Sequence, residues 1–275
     1  RVPLCELEIE IAKRFGAPRA VVDLMQANIR THGFTANGWS YSVPGTRKSG
    51  DPYTSCFNSF INAAMHVFAY CRLTHQSVLM AKNNMKMLVQ GDDNLMRHMG
   101  ARLAGWREIF LSLGFETESL YRDNLREAEF CSSVVVSCKE GKVFIPKLGR
   151  VMAKFGYFID PPLNVHPKSL LRGVCLGMQH LRFLPLYRQL FDTCLKYSEG
   201  YKAFKFKLEE HKFNYVQVSY ISDSDYDISE RYLFSSEQIS VVAELLSSDV
   251  KTLDHPYLKC LLDRDTDGPK VVYSS

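Results

Sequence analysis

The sequence predicts an α+β fold: a mixed helix-and-strand unit over residues 1–160, then a mostly helical unit over 161–275. Three observations predict it. Apolar residues recur at helical spacing in several segments; Leu4, Leu7, Ile11 and Phe15 fall on one face, and Ser55–Thr74 runs with neither Gly nor Pro. Short apolar runs bounded by turn residues, such as Lys86–Gln90, read as strands. After Asp160 the break "DPPLNVHP" is followed almost wholly by helical patterns. With 275 residues and 46% hydrophobic content, the chain can bury a sizeable core in one large domain or two moderate ones.

Each element follows from local chemistry. The first helix, Leu4–Phe15, ends at Gly16, and Pro18 opens a second that runs to about Thr31. The Gly-, Pro- and Ser-rich stretch from Gly33 to Ser55 holds turns, with a short strand around Trp39–Val43. Ser55–Thr74 is a long buried helix. Lys86–Gln90 is a strand, and "NLMRHM" after the acids is its returning partner. Ala101–Leu113 is an amphipathic helix stopped by Gly114. Alternation in "EFCSSVVVSCKEGKVFIPKLGRVMAKFG" predicts a β-hairpin turning at Glu140-Gly141. Helical spacing then covers Lys168–Lys196, Ser235–Leu246 and His255–Leu262.

Composition excludes several classes. A charged fraction of 23% with 12% aromatics is not that of a disordered chain. A net charge of +4 permits nucleic-acid binding without demanding it. Eight scattered cysteines with no CxxC pair suit reduced, packed thiols rather than a disulfide framework; Cys131 and Cys138 with a distant histidine would make a zinc site only on a non-specific spacing. No apolar run reaches the ~18 residues of a membrane span. The start, "RVPLCELEIEIAKRFG", has acids where a signal peptide has an apolar core and reads as a cut into a longer polypeptide.

Two segments carry candidate chemistry. In "SGDPYTSCFNS", Ser49 and Gly50 allow the backbone to approach a ligand closely. Thr54 and Asn58, four apart at the start of the long helix, share one face and offer a hydroxyl and an amide able to read a sugar hydroxyl. A capped helix with no further role would also explain them. In "VQGDDN", Gly91 permits a tight turn that displays Asp92 and Asp93, with Asn94 following. Two carboxylates about 4 Å apart in a dry cleft would repel by roughly 4 kcal/mol at an effective dielectric of ~20. A cation between them relieves that, and oxygen ligands favour Mg²⁺ or Mn²⁺. On its own such a tripeptide also occurs in solvated turns.

Together, the two segments are specific. "SGDPYTSCFNSFINA" followed by "VQGDDN" resembles motifs B and C of the RNA-dependent RNA polymerases of positive-strand RNA viruses, in order and in spacing. "GARLAGWREIFLSLGF" is similar to their motif D and "EAEFCSSVVV" to motif E, the hairpin that grips the primer strand. The match covers most of the chain, and the motifs are similar to those of tombusvirus-, nodavirus- and flavivirus-like groupings alike. The resemblance implies a right-hand polymerase palm with part of the fingers over 1–160 and a helical thumb over 161–275. It implies that Asp92 and Asp93 hold the metals, that Ser49 and Gly50 form a mobile template loop, and that Thr54 and Asn58 recognise the ribose 2′-hydroxyl, with Gly91 and Asn94 beside the substrate. Arg122 matches the motif D basic residue, although a guanidinium is a poor proton donor and suits phosphate pairing better. Lys139, Lys142, Lys147, Arg150 and Lys154, interleaved with apolar residues, suit RNA backbone contact or a solvated hairpin face. The Tyr201, Phe204 and Phe206 stripe reads as strand-like core packing.

The implied partners are an RNA template and nascent strand, nucleoside triphosphates, and other replicase proteins or the rest of a polyprotein, in the host cytoplasm at replication complexes. The family also uses an aspartate pair upstream, in motif A, and a basic motif F. The early acids Glu6, Glu8, Glu10 and Asp23 do not supply that pair, so motif A is expected just before Arg1 and these 275 residues are expected to be inactive alone. The alternatives are a non-catalytic RNA-binding or assembly module with the same fold, and a reverse transcriptase, against which the Ser-Gly/Thr/Asn set argues.

Overall fold

The computed structural model describes residues 2–100, 102–205, 218–248 and 255–266. The chain divides into two compact units, Arg1–Leu120 and Tyr121–Ser275. Helices and small antiparallel sheets make up both, in keeping with an α+β fold.

The first unit opens with α1 (Val2–Arg14) and α2 (Arg19–Ala27). Lys13 and Arg14 lie in the last turn of α1, where cations offset the helix dipole. Pro18 precedes α2, which stops at Ala27, well short of the expected Thr31, because β1 (Arg30–Phe34) begins there. β1 pairs antiparallel with β2 (Ser40–Pro44). The sequence offered β2 through its aromatic and β-branched residues. It hid β1, whose Gly33 is the seat of a cross-strand contact: a Cβ there would fall 2.2 Å from the Tyr41 ring. Ile9, Ala12, Val22 and Met25 form the small core under these helices, with Tyr53 and Phe57 against it.

The long helix α3 (Thr54–Thr74) appears as its composition predicts, and His75 in the left-handed region ends it. A short helix the periodicity did not reveal follows, α4 (Val78–Asn84), started by Ser77 Oγ accepting from Met80 N at 3.3 Å. Then come β3 (Met85–Gln90) and β4 (Asp93–His98), a hairpin whose alternate residues Met87 and Met96 face a core of Ala69, Tyr70, Ala81, Met85, Trp106 and Phe110. The expected helix from Ala101 begins only at α5 (Trp106–Ser112), because Gly105 sits at φ 94°, outside the helical region. Tyr70 and Phe110 are 1% and 0% exposed, so each contributes about 1.5–3 kcal/mol of burial that pins β3 and α5 onto α3.

The second unit contains a three-stranded sheet, β5 (Glu129–Phe130), β6 (Ser133–Cys138) and β7 (Gly141–Pro146), in that order. The expected hairpin is present, with Lys139 and Glu140 as its two loop residues and Gly141 already paired with Cys138. Helix α6 (Leu148–Lys154) follows directly, then α7 (Pro167–Gly177) and α8 (Pro185–Tyr197). The single helix expected over Lys168–Lys196 is two, because Pro185 lacks an N–H and starts a new helix. Helices α9 (Ser222–Tyr232), α10 (Ser236–Ser247) and α11 (Pro256–Thr266) complete the unit. Ser235 and Gln238 form a reciprocal cap on α10.

The sequence drew its boundary near Asp160, whereas the compact units part at Leu120. The reason is packing. Val134, Val136 and Ile145 of the hairpin share one core with Leu148, Tyr187, Phe191, Ile228, Val242, Leu258 and Leu261 of the following helices. A buried ionic cluster reinforces it: Asp265 accepts from Gly149 N at 2.8 Å, Arg231 Nη2 at 2.8 Å and Tyr232 Oη at 2.6 Å. Arg231 also reaches Glu129 at 2.7 Å. Burial and the Asp265 carboxylate raise the Tyr232 hydroxyl well above its ordinary pKa, which keeps it a donor.

Of the aromatic stripe, Tyr201 and Phe204 lie in irregular backbone rather than a strand. Tyr201 stacks on His166 with ring centres 4.3 Å apart and remains 37% exposed, so it is not core. Phe206 lies outside the described residues.

Candidate active site

The β3–β4 turn is built by two residues. Gln90 pairs with Asp93, leaving Gly91 and Asp92 as the loop. Gly91 takes φ 62° while Asp92 stays at negative φ, the pattern of a type II′ hairpin turn, which needs Gly in the first position. Asp92 is therefore at the tip and Asp93 is the first residue of β4. Both are exposed, so water relieves the repulsion expected of a dry pair, and neither carboxylate bonds to another described residue.

Helix α3 holds this turn by its side chains. Gly91 N donates to Ser59 Oγ at 2.7 Å, and Ser59 Oγ donates to Ser55 O at 2.7 Å. One helical turn on, Asn62 Nδ2 donates to Gly91 O at 3.1 Å and to Asp92 O at 2.8 Å. Asn62 Oδ1 accepts from Asn94 Nδ2 at 3.0 Å. Asn94 Nδ2 also reaches His66 Nε2 at 2.9 Å, and His66 Nδ1 lies 2.8 Å from Asn62 O. Asn94, expected beside the substrate, is thus tied into the scaffold of the turn.

His66 is buried against Phe110 and Trp106, with ring centres 4.8 and 5.9 Å away. Burial lowers its pKa below the ordinary 6.5. Ser59, Asn62 and His66 are not among the site residues expected from the sequence. Their signal is a polar row at i, i+3 and i+7 along a helix that is otherwise largely apolar.

Thr54 and Asn58 occupy the same row as Asn62, at intervals of four, nearer the helix start. Thr54 Oγ1 donates to Lys48 O at 2.8 Å, closing the loop before the helix; its lone pairs remain for a ligand. The Asn58 amide bonds to no described residue. Ser49 and Gly50 are exposed at the tip of this loop, and Gly50 sits at φ 98° with open space where a Cβ would be.

The loop's base is fastened to the first two helices. Arg47 forms an ion pair with Glu8 of α1, and Lys48 Nζ donates to Asn28 Oδ1 at 2.8 Å. Glu8 is 2% exposed; burial raises its pKa and Arg47 opposes that. Glu8 read as one more polar helix residue in the sequence, since nothing local marks it as the partner of a cation 39 positions away.

The remaining expected site residues lie in the second unit. Arg122 is exposed in irregular backbone. Lys139 and Lys142 are exposed on the hairpin, and Arg150 is half-buried on α6. Lys147 departs from the expectation: it is 5% exposed and its ammonium is bound to Glu129, so it is not available to RNA. Glu129, held below its ordinary pKa, pairs with both Lys147 and Arg231; burial alone would raise it, and the two cations outweigh burial.

The donor set at the turn is carboxylate oxygen, which suits Mg²⁺ or Mn²⁺. Among the described residues no group of three or more His, Cys, Asp or Glu is placed to hold a metal ion. No helix among the described residues is long and apolar enough to cross a membrane.

Residues 12–246 match the family described as viral RNA dependent RNA polymerase, a span that includes the loop, the whole of α3, the β3–β4 turn and the hairpin of the second unit. No curated protein matches the chain.

Proposed function

The chain belongs to the viral RNA-dependent RNA polymerase family, and from that premise we propose that it carries the nucleotide-joining centre of such an enzyme. The reaction is transfer of a nucleotide from a nucleoside triphosphate to the 3′-hydroxyl of an RNA strand paired with an RNA template, for viral genome replication and transcription. The observation that carries this reading is the single row along α3. At one end Asn58 leaves its amide unengaged by any described residue and Thr54 keeps its oxygen as an acceptor, and Asn62 further along grips the turn that displays Asp92 and Asp93.

In this reading Asp92 and Asp93 hold Mg²⁺ or Mn²⁺. Mg²⁺ is commonly bound by one or two carboxylates, with phosphate oxygens and water completing the shell, which fits an open pair. When bound, a pair of such ions supplies Lewis-acid stabilisation of the attacking and leaving oxygens in an in-line displacement. Asn58 offers donor and acceptor to the ribose 2′-hydroxyl, and Thr54, its proton spent on Lys48 O, offers an acceptor. Ser49 and Gly50 let the loop backbone lie close to the template pair. Lys139, Lys142 and Arg150 contact RNA phosphates, and Arg122 pairs with phosphate rather than donating a proton. The first unit then corresponds to palm with part of the fingers. The second carries the primer-gripping hairpin and the thumb helices, working with other replicase proteins at cytoplasmic replication complexes.

Sugar selection tests this reading. In a polypeptide containing this chain that extends primed RNA, Asn58→Ala should lower the preference for ribo- over deoxyribonucleotides at least tenfold. An unaltered ratio removes Asn58 from that role.

A further inference from the structure

The loop that carries Ser49 and Gly50 is tied on both sides of its tip. Upstream, Arg47 is ion-paired with Glu8 of α1, and its guanidinium lies 5.6 Å from the centre of the Tyr53 ring. Lys48 Nζ donates to Asn28 Oδ1 at 2.8 Å, at the end of α2. Downstream, Thr54 Oγ1 donates to Lys48 O at 2.8 Å and Thr54 N donates to Asp51 O at 3.0 Å, which closes the loop on itself. Ser49 and Gly50, between these ties, make no hydrogen bond to any described residue, and Gly50 has open space where a Cβ would be. Glu8 is the unusual member of the set. The other acids of α1, Glu6 and Glu10, are exposed, whereas Glu8 is buried beside Ile9 and Ala12. Its one ion pair among the described residues is with Arg47, whose side chain is itself three-quarters buried. Desolvation offsets much of the attraction in such a pair, and two well-packed apolar side chains would hold α1 to the loop about as firmly. The pair supplies direction instead: the guanidinium has one carboxylate to meet, so the backbone at Arg47 is set in one place.

We propose that Glu8 is a positioning residue for the loop before α3, acting through Arg47. The proposal rests on the reading of Ser49 and Gly50 as the backbone that lies close to the template pair. Glu8 touches no substrate. It fixes the upstream end of the loop; Lys48 carries that position to Thr54 through its carbonyl oxygen; and the backbone freedom is left at Ser49 and Gly50, where glycine permits it. Tyr53 and Phe57 pack against the core of Ile9, Ala12, Val22 and Met25, so α1, α2 and the start of α3 form the frame against which the loop is held. A small misplacement of a group that aligns the reacting pair is enough to slow the reaction severely.

The test uses a polypeptide containing this chain that extends primed RNA. Glu8→Met keeps the length of the side chain and removes both the charge and the acceptor. It should lower kcat by about tenfold or more while leaving KM for the nucleotide within about threefold. Amide hydrogen exchange at Thr54 should accelerate about tenfold, while exchange at Ala69, far along α3, stays as in the parent. Glu8→Gln keeps an oxygen for Arg47 to bond and should recover part of both changes. Glu8→Met combined with Arg47→Met leaves no buried charge unpaired, so the melting temperature should return toward the parent value. In that double variant kcat should stay low, because nothing directs the loop. Glu10→Gln removes the same charge from the exposed Glu10–Arg14 pair of α1 and should change none of these values.

Recovery of kcat together with the melting temperature in the double variant would overturn the proposal, since the pair would then hold the fold and nothing more. So would parent-like Thr54 exchange in Glu8→Met. If Glu8→Met fails to fold, the double variant decides by the same signals: fast Thr54 exchange with low kcat supports the proposal, and parent values overturn it. Failure of the underlying reading is distinguishable. Thr54 exchange would then rise in Glu8→Met with kcat at the parent value, which overturns the proposal through the loop's contact with the template pair while the anchor itself stands.

Discussion

The side-chain amide of Asn62 donates to the carbonyl oxygens of both Gly91 and Asp92, at 3.1 and 2.8 Å, and so ties the middle of α3 to the tip of the β3–β4 hairpin. Asn62→Ala removes both bonds and leaves Asn94 without its acceptor. The site is only half-buried, so water replaces part of what is lost and the stability cost should be about 1 kcal/mol. The activity cost should be at least tenfold in kcat, about 1.4 kcal/mol or more of activation free energy, because the turn loses its fixed direction. Thermal melting and steady-state kinetics on the same preparation separate the two effects.

Gly149 marks the closest approach of α6 and α11. A Cβ at this position would lie 1.9 Å from Leu261 O, and a backbone carbonyl inside a helix cannot move aside. Gly149→Ala should destabilise the second unit at or above the ~3 kcal/mol top of the usual overpacking range. Gly16→Ala, at an open position, should cost only the strain of its positive φ, about 1–2 kcal/mol. Urea midpoints for the two variants check the order.

Asp265 has a fully buried carboxylate and three donors. Asp265→Ala leaves Arg231 buried with only Glu129 to balance it, and should cost about 3–5 kcal/mol. A value under 1 kcal/mol, measured by denaturant unfolding, would mean that the cluster does not hold the second unit together.

Acid should loosen the same unit. Glu129 and Asp227 both titrate below their ordinary values of 4.5 and 3.8. Burial pushes each upward. Lys147 and Arg231 overcome it for Glu129, and Ser137 N–H with Arg126 overcomes it for Asp227. A depressed carboxyl pKa means the unfolded chain takes up the proton first, so its stabilisation is present above the ordinary value and fades as pH falls through it and below. The melting temperature should therefore drop as pH falls from about 5 to 3, and Glu129→Gln with Asp227→Asn should flatten that drop.

Much of this site was legible in the sequence because its chemistry is local. Gly91 permits a tight turn that displays two adjacent aspartates, and Thr54 with Asn58 at a helix start share a face by spacing alone. The long α3 and the β3–β4 hairpin follow from composition and alternation. What was hidden depends on distant partners. Glu8 and Arg47 meet across 39 positions, and Lys147 looked like a basic surface residue until Glu129 took its charge. The boundary was misread for the same reason: "DPPLNVHP" looks like a linker, yet the hairpin before it and the helices after it bury one another. Asn62 and His66 lay in plain view as a polar row, but only the position of Asn94 gives that row its meaning.

Asp92 is the residue on which the metal-binding assignment of the turn depends most directly. In a polypeptide containing this chain that extends primed RNA with Mg²⁺, Asp92→Asn keeps the size and the turn and removes the charge. It should abolish synthesis, by at least a thousandfold or about 4 kcal/mol of activation free energy, while RNA binding and the melting temperature stay as in the parent. Synthesis at the parent rate would contradict the assignment of the Gly91–Asp93 turn as the metal-binding centre.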